Sequence, residues 1–254
     1  MKIAVAGGTG TIGHHVVDVA RERGHDVVVL TRSTGVDLVA AHGLEAALAG
    51  VDAVIDVASV QTVSAKESRR FFGAVTRNLL ATEEAAGVRH HVALSIVGVD
   101  DASYGYYAGK VLQEQLVEAG PVPWTLLRAT QFHEFASQIH GRMKIGPVVM
   151  VPAMRSQPVA AREVAERLVD LAEGGPTGRV RDLAGPREER MSDLARRWAK
   201  ATGRAGRVME VPLPGGFGRA MRDGTLLPRP GADLGRQTFD EWLASVAAAN
   251  GRMT

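Results

Sequence analysis

The 254-residue chain contains no cysteine. That excludes a disulfide framework, a thiolate metal site and a cysteine nucleophile, and no other metal-ligand spacing stands out. No apolar run approaches the roughly 18 residues of a membrane span. The opening residues, MKIAVAG, read as a strand rather than as a charged segment leading into an apolar signal core. A soluble, cytoplasmic protein with no membrane partner is the expectation. Aromatic residues make up only 5% of the chain, and the formal charge is a modest +2. The most basic stretch, 179–207, sets nine Lys/Arg against four Asp/Glu, with Trp198 its single aromatic. No nucleic-acid motif accompanies it, so it reads as a solvated helix face and nucleic acid is not an expected partner.

What the chain does have is alternation. Apolar runs at 2–6, 26–31, 51–58, 90–96 and 123–129 are separated by segments of helical period near 11–23, 43–49, 66–86 and 106–119. The runs are continuously apolar, as strands covered on both faces should be, and the pattern is that of βαβ units. A weak strand is expected near Val36–Val39. After Gln131 the pattern loosens, with helices expected near 160–173, 191–202 and 235–249 and the run VPLPGGFG at 211–218 read as a loop. The fold class is α/β, a doubly wound parallel sheet (Rossmann-like) over 1–145. A small C-terminal cap, 146–254, is expected to bind substrate and pack on it.

The run GGTGTIG at residues 7–13 follows the first strand and opens the first helix, the context of a dinucleotide-binding fingerprint. Gly7 begins the loop, Gly10 lets the backbone meet a pyrophosphate, and Gly13 lets the helix pack close to the strand. The helix N-terminus at Ile12 and Gly13 supplies N–H groups, and Thr9 and Thr11 add hydroxyls. An acidic residue at the end of the second strand would suit an unphosphorylated ribose. Arg32 and Ser33 stand there instead and suit a 2′-phosphate, so NADP(H) is preferred over NAD(H). Asp37 either meets the adenine amino group or caps the next turn. Ala58 and Ser59, after the third main strand, edge the cofactor cleft by topology.

Tyr106 and Lys110 are four residues apart and share a helix face. An ammonium there lowers the phenol pKa toward the range useful for proton transfer; the alternative is an amphipathic helix with a surface lysine. Tyr104 and Tyr107 are neighbours, but only Tyr106 has a lysine at +4. Ser95, at the end of the preceding strand, directs its hydroxyl to the same crevice.

GGTGTIG, Ser95, Tyr106-x-x-x-Lys110 and WTLLRATQFHEF (124–135) together resemble the short-chain dehydrogenase/reductase superfamily, and within it the atypical, NmrA-like NAD(P)-binding group. The resemblance covers about residues 1–175. It implies Tyr106 as general acid, Lys110 as the group that holds the nicotinamide ribose and tunes Tyr106, and Ser95 as the group that orients a carbonyl. Ser95 lies close to Tyr106 in sequence for that superfamily. Ala129 passes the nicotinamide, and Gln131, Phe132, His133, Phe135 and Met150 line a pocket for a small-molecule substrate; the other reading of His133 is a capping or core histidine. The leading expectation is an NADPH-dependent oxidoreductase passing hydride to a carbonyl or quinone-like acceptor. Its rivals are a non-catalytic redox sensor that binds a partner protein and a sugar-nucleotide epimerase, which uses the same triad. The sequence leaves the oligomeric state open.

Overall fold

The computed structural model describes residues 1–204 and 206–251, with backbone alone at 249–251. In chain order the elements begin β1 (Lys2–Ala6), α1 (Gly13–Glu22), β2 (Asp26–Leu30), α2 (Leu44–Leu48), β3 (Ala53–Asp56), α3 (Ala65–Ala86), β4 (His90–Ile96), α4 (Tyr106–Glu118) and β5 (Trp124–Ala129). They continue with α5 (Phe135–Arg142), β6 (Lys144–Ile145), β7 (Val148–Pro152), β8 (Arg155–Ser156), α6 (Ala161–Gly174) and β9 (Gly178–Arg179). The last are β10 (Leu183–Ala184), β11 (Glu189–Arg190), α7 (Met191–Ala201), β12 (Arg207–Val211), α8 (Gly215–Asp223), β13 (Asp233–Leu234) and α9 (Phe239–Gly251). They group into two compact units. One is Met1–Arg128 together with Arg162–Arg181; the other is Ala129–Ala161 together with Asp182–Thr254.

The first unit holds a sheet in the order β2-β1-β3-β4-β5-β9. The pairs β1–β2, β1–β3, β3–β4 and β5–β9 are parallel. Strand order reverses beside β1, and in open sheets of this kind ligands bind beyond the carboxyl ends of the strands at that reversal. The strands are buried because both faces are covered: Ala4, Ala6, Val54, Leu44, Leu48, Val75 and Leu79 form one continuous core. Helix α1 puts Val16, Val17, Val19 and Ala20 into the interior and stops before Gly24, whose φ of +80° suits only glycine. Each buried valine contributes about 1.5–3 kcal/mol. Helix α3 starts at Ser64, whose side chain accepts the Glu67 N–H, and stops at Gly87, φ +73°.

The chain re-enters this unit after residue 161. Helix α6 then places Asp170 and Glu173 on Arg23 and places Arg162 on Glu22, while β9 extends the sheet beyond β5.

The second unit contains the parallel pair β10–β13, the antiparallel pair β8–β11, and a three-stranded sheet β12-β7-β6. Three local expectations are corrected here. VPLPGGFG is not wholly loop: Pro214 caps α8, and a Cβ on Gly218 would fall 1.9 Å from the Leu213 carbonyl oxygen. Glycine there permits close approach instead of breaking the helix. No strand forms at Val36–Val39, where only an isolated bridge joins Asp37 and His42. Residues 135–142, left unassigned by pattern, form α5.

Candidate nucleotide site and proton donor

The glycine loop lies at the strand reversal of the first unit. Gly7 has φ +80°, and a Cβ on it would sit 2.8 Å from Ala58 Cα, so the loops after β1 and β3 touch backbone to backbone. A Cβ on Gly13 would lie 2.1 Å from the Gly7 carbonyl oxygen and 2.6 Å from Gly8 Cα. Gly10 is more open: its N–H donates to Gly7 O at 2.9 Å, and an added Cβ would meet only that oxygen, at 3.2 Å. Helix α1 begins at Ile12 with no side-chain cap and no acidic residue in its first turn. The His14 N–H donates back to Gly10 O at 3.2 Å, and the positive dipole end of the helix is left facing an anion. Thr9 and Gly10 are exposed, and Thr11 is half-buried. These features fit a dinucleotide pyrophosphate.

At the end of β2 the chain makes a short 3-10 turn, Arg32–Thr34. Arg32 is exposed, its carbonyl accepts the Gly35 N–H at 3.1 Å, and its guanidinium makes no hydrogen bond or ion pair with any described residue. Ser33 is exposed, with its hydroxyl 2.9 Å from that of Thr31. Asp37 follows the second of its two readings: its carboxylate accepts the N–H groups of Val39 at 2.8 Å and Ala40 at 3.0 Å. Those bonds, with the Arg32 and His42 charges, hold its pKa below the usual carboxylate value.

Tyr106 is the first residue of α4, entered through Gly105 at φ +51°. The helix is seated by Ser68 of α3, whose hydroxyl donates to the Tyr106 carbonyl at 2.7 Å. Phe72 packs edge-on against the Tyr106 ring at 5.4 Å. The phenol oxygen lies 3.0 Å from the hydroxyl of exposed Ser59. Burial pushes the phenol pKa up to about 12; the Ser59 bond acts against that, and the Asp56 charge adds to it. Among the described residues Ser59 is the only group hydrogen-bonded to this phenol.

The expected ammonium–phenol pairing is therefore corrected. Lys110 does share the Tyr106 face of α4, but its Nζ donates to Leu94 O and to Gln113 Oε1, both at 2.6 Å, and sits 4.5 Å from the Phe72 ring centroid. Three partners match the three donors of an ammonium. Gln113 in turn donates to Asp56 Oδ2 at 2.8 Å, and Asp56 Oδ1 accepts the Ala58 N–H at 2.9 Å. Desolvation lowers the Lys110 pKa to about 8 against the pull of Asp56 and Glu114. Spacing alone does not show this chain of partners, although a lone aspartate closing the run AVID and a glutamine one turn after the lysine were its visible traces.

Ser95 lies on β4 as expected and is 4% exposed, and its hydroxyl has no hydrogen-bond partner. An orphaned buried hydroxyl is unusual enough to require an explanation. Arg128, at the end of β5, grips Glu114 of α4 and donates to both carboxylate oxygens of Asp100, at 2.6 and 2.8 Å, which ties down the segment leading to Tyr106.

In the second unit, Ala129 is buried and faces Leu183 of β10. Gln131 is buried and accepts the Ser156 hydroxyl at 2.9 Å. Phe132, Phe135 and Met150 are half-buried. His133 does not line an open surface: it is 1% exposed, its Nε2 donates to Gln237 O at 3.1 Å, and its ring lies 5.7 Å from those of Phe239 and Trp242. Burial pushes its pKa down to about 4. This is a core histidine that fastens α9.

The fold and the glycine cradle define a Rossmann-like nucleotide-binding protein. The chain belongs to the NAD(P)H-binding family, whose model matches residues 34–173. It is similar to the (4-alkanoyl-5-oxo-2,5-dihydrofuran-3-yl)methyl phosphate reductase of Streptomyces griseus, 30% identical over 228 residues, which cover 82% of this chain and 77% of that one. It is also 31% identical over 111 residues to the photosystem II assembly factor Ycf39 of Synechocystis, a match that spans 38% of this chain and only 34% of the relative. In fold it resembles the UDP-glucose 4-epimerase of Bifidobacterium longum solved with NAD+ and UDP, with TM-score 0.73 and 16% identity over 99% of this chain and 98% of that one. No helix among the described residues is long and apolar enough to cross a membrane.

Proposed function

We propose that this protein is an NADPH-dependent reductase that passes hydride to a small carbonyl or quinone-like acceptor. The observation that carries the reading is the half-buried Tyr106 phenol, hydrogen-bonded at 3.0 Å to Ser59, next to Ala58, whose backbone meets the glycine loop at Gly7. A phenol is protonated at neutral pH and can donate to an oxyanion that forms as hydride arrives. The Streptomyces griseus relative is named for an unsaturated lactone bearing an acyl group, an electron-poor acceptor of the same chemical kind.

Gly7, Gly10, Gly13 and the first N–H groups of α1 hold the pyrophosphate, with Thr9 and Thr11 alongside. Arg32 and Ser33 hold a 2′-phosphate, and Ala58 and Ser59 border the ribose and nicotinamide. A reduced nicotinamide bound there supplies the hydride. Ser95 offers its unsatisfied hydroxyl to the acceptor oxygen, Tyr106 protonates that oxygen, and Lys110 with Gln113 and Asp56 fixes the floor beneath.

A second reading has its own observation. Lys110 directs its two hydrogen bonds to Leu94 O and Gln113 Oε1 rather than to Tyr106, as expected of a cofactor-sensing protein that does not turn its nucleotide over. One experiment separates the two: titrate NADPH, then follow its absorbance with aldehydes, ketones, quinones and conjugated lactones. The reductase reading expects turnover that falls by roughly two to four decades in Tyr106→Phe with NADPH affinity unchanged. Tight NADPH binding with no oxidation by any acceptor class favours the sensor.

A further inference from the structure

Tyr106 donates one proton per turnover and must recover it, and the structure offers a route that does not pass through Lys110. Tyr106 is half-buried, with fully buried Phe72 packed edge-on against its ring. Lys110, the neighbouring cation, directs its three donors at Leu94 O, Gln113 Oε1 and the Phe72 ring. Ser59 stands 3.0 Å from the phenol oxygen on the loop after β3, and it is exposed to water. A serine hydroxyl donates and accepts at once, which a relay requires and an ammonium, a donor only, cannot supply.

We propose that Ser59 is the proton-return group of Tyr106, passing a proton from bulk water to the phenolate after each reduction. This rests on the reductase reading above. The acceptor takes a hydride from the reduced nicotinamide and then the phenol proton, so its C=O becomes CH–OH while the Tyr106 O–H bond breaks. The phenolate takes the Ser59 hydroxyl proton, and Ser59 oxygen takes one from water. The net addition to the acceptor is one hydride and one proton, and both side chains end as they began. Ser59 touches neither transferred electrons nor the acceptor, so it is a positioning and relay residue.

Two measurements test this. In the first, a trifluorotyrosine placed at 106 is titrated by ultraviolet absorbance in the cofactor-free protein, with Ser59 intact, Ser59→Ala and Ser59→Thr. Loss of the hydrogen bond should raise the phenol pKa by about half a unit to one unit in the alanine variant, and threonine should restore it. In the second, NADPH oxidation is followed in rapid mixing. At saturating NADPH, Ser59→Ala should keep a burst of one equivalent and then turn over about 10–100-fold more slowly than wild type, with the loss recovered by raising the concentration of a small buffer acid. Equal steady-state rates with and without Ser59 overturn the relay. So does a loss confined to NADPH affinity, which makes Ser59 a cofactor contact only. A shifted phenol with no turnover on any acceptor instead overturns the reductase reading and the relay with it, leaving only the hydrogen bond. An unshifted phenol with normal turnover overturns the relay alone.

Discussion

Replacing Gly13 by alanine separates the architecture of the glycine loop from its ligand chemistry. The new Cβ would lie 2.1 Å from Gly7 O, 2.6 Å from Gly8 Cα and 2.8 Å from Gly7 C. All three atoms are backbone, so no side-chain rotation relieves the clash; α1 must move by about 1 Å or the loop must open. Overpacking of this kind costs about 1–3 kcal/mol when the neighbours can yield, and these neighbours are held by the Gly10 N–H to Gly7 O bond, so the upper end applies. A loss of about 3 kcal/mol lowers Tm by roughly 6–12 °C in a chain of this size. Gly10→Ala is the control: its Cβ meets one oxygen at 3.2 Å, so Tm should stay within about 2 °C. NADPH affinity should fall in both variants, because both lie on the pyrophosphate path. Thermal unfolding by circular dichroism and titration by nicotinamide fluorescence read the two effects. A Gly13→Ala protein that melts with the wild type would refute the assigned close approach.

Three other outcomes are expected. Arg32→Ala should remove most of any preference for NADPH over NADH, through loss of about 1.5–3 kcal/mol or roughly 10–150-fold in affinity, measured by parallel titration of both cofactors; equal affinities in the unmodified protein would sink the assignment. Gln113→Leu leaves Lys110 and Asp56 each short of a partner, so chemical denaturation should show a loss of about 1–3 kcal/mol, whereas full stability would mean the buried chain of partners contributes nothing. His133 titrates at about 4 when folded and near 6.5 when unfolded, so the unfolded chain alone binds the proton between those values. Its contribution is complete above pH 6.5 and lost as pH falls through 4, an effect of up to about 3 kcal/mol that His133→Leu should abolish in urea unfolding at several pH values.

The five long strands and helices α1 to α4 of the first unit were legible because each is a continuous apolar run or a 3.6-residue stripe with a glycine stop. Paired strands of two residues, such as β8 with β11 or β10 with β13, were not, since two residues carry no period. Helix α8 was hidden because Pro214 and the glycines behind it are loop signals in sequence and a cap and a close approach in space. The glycine loop was readable to the atom. The Tyr106–Lys110 face was readable only as a face: spacing puts the two side chains on one side of α4 but does not say which acceptor the ammonium takes. Leu94 O and Gln113 decide that, and one of them is a backbone atom on another element. His133 was misjudged for the opposite reason, since its neighbours Phe239 and Trp242 lie about 100 residues further along the chain.

The first unit is written in two pieces, and that has a bearing on how it comes into being. The outer edge of β5 gains its partner only when Gly178 and Arg179 exist, and Glu22 and Arg23 on α1 meet their counter-charges only after residues 162–173. A nascent chain that has emerged only as far as Arg128 holds the nucleotide cradle but exposes an unpaired edge of parallel sheet, a template for another chain. Truncation at the end of β5 therefore produces a species with a sticky margin and a half-clothed helix. Expressing 162–181 as a separate peptide alongside it should quench that stickiness.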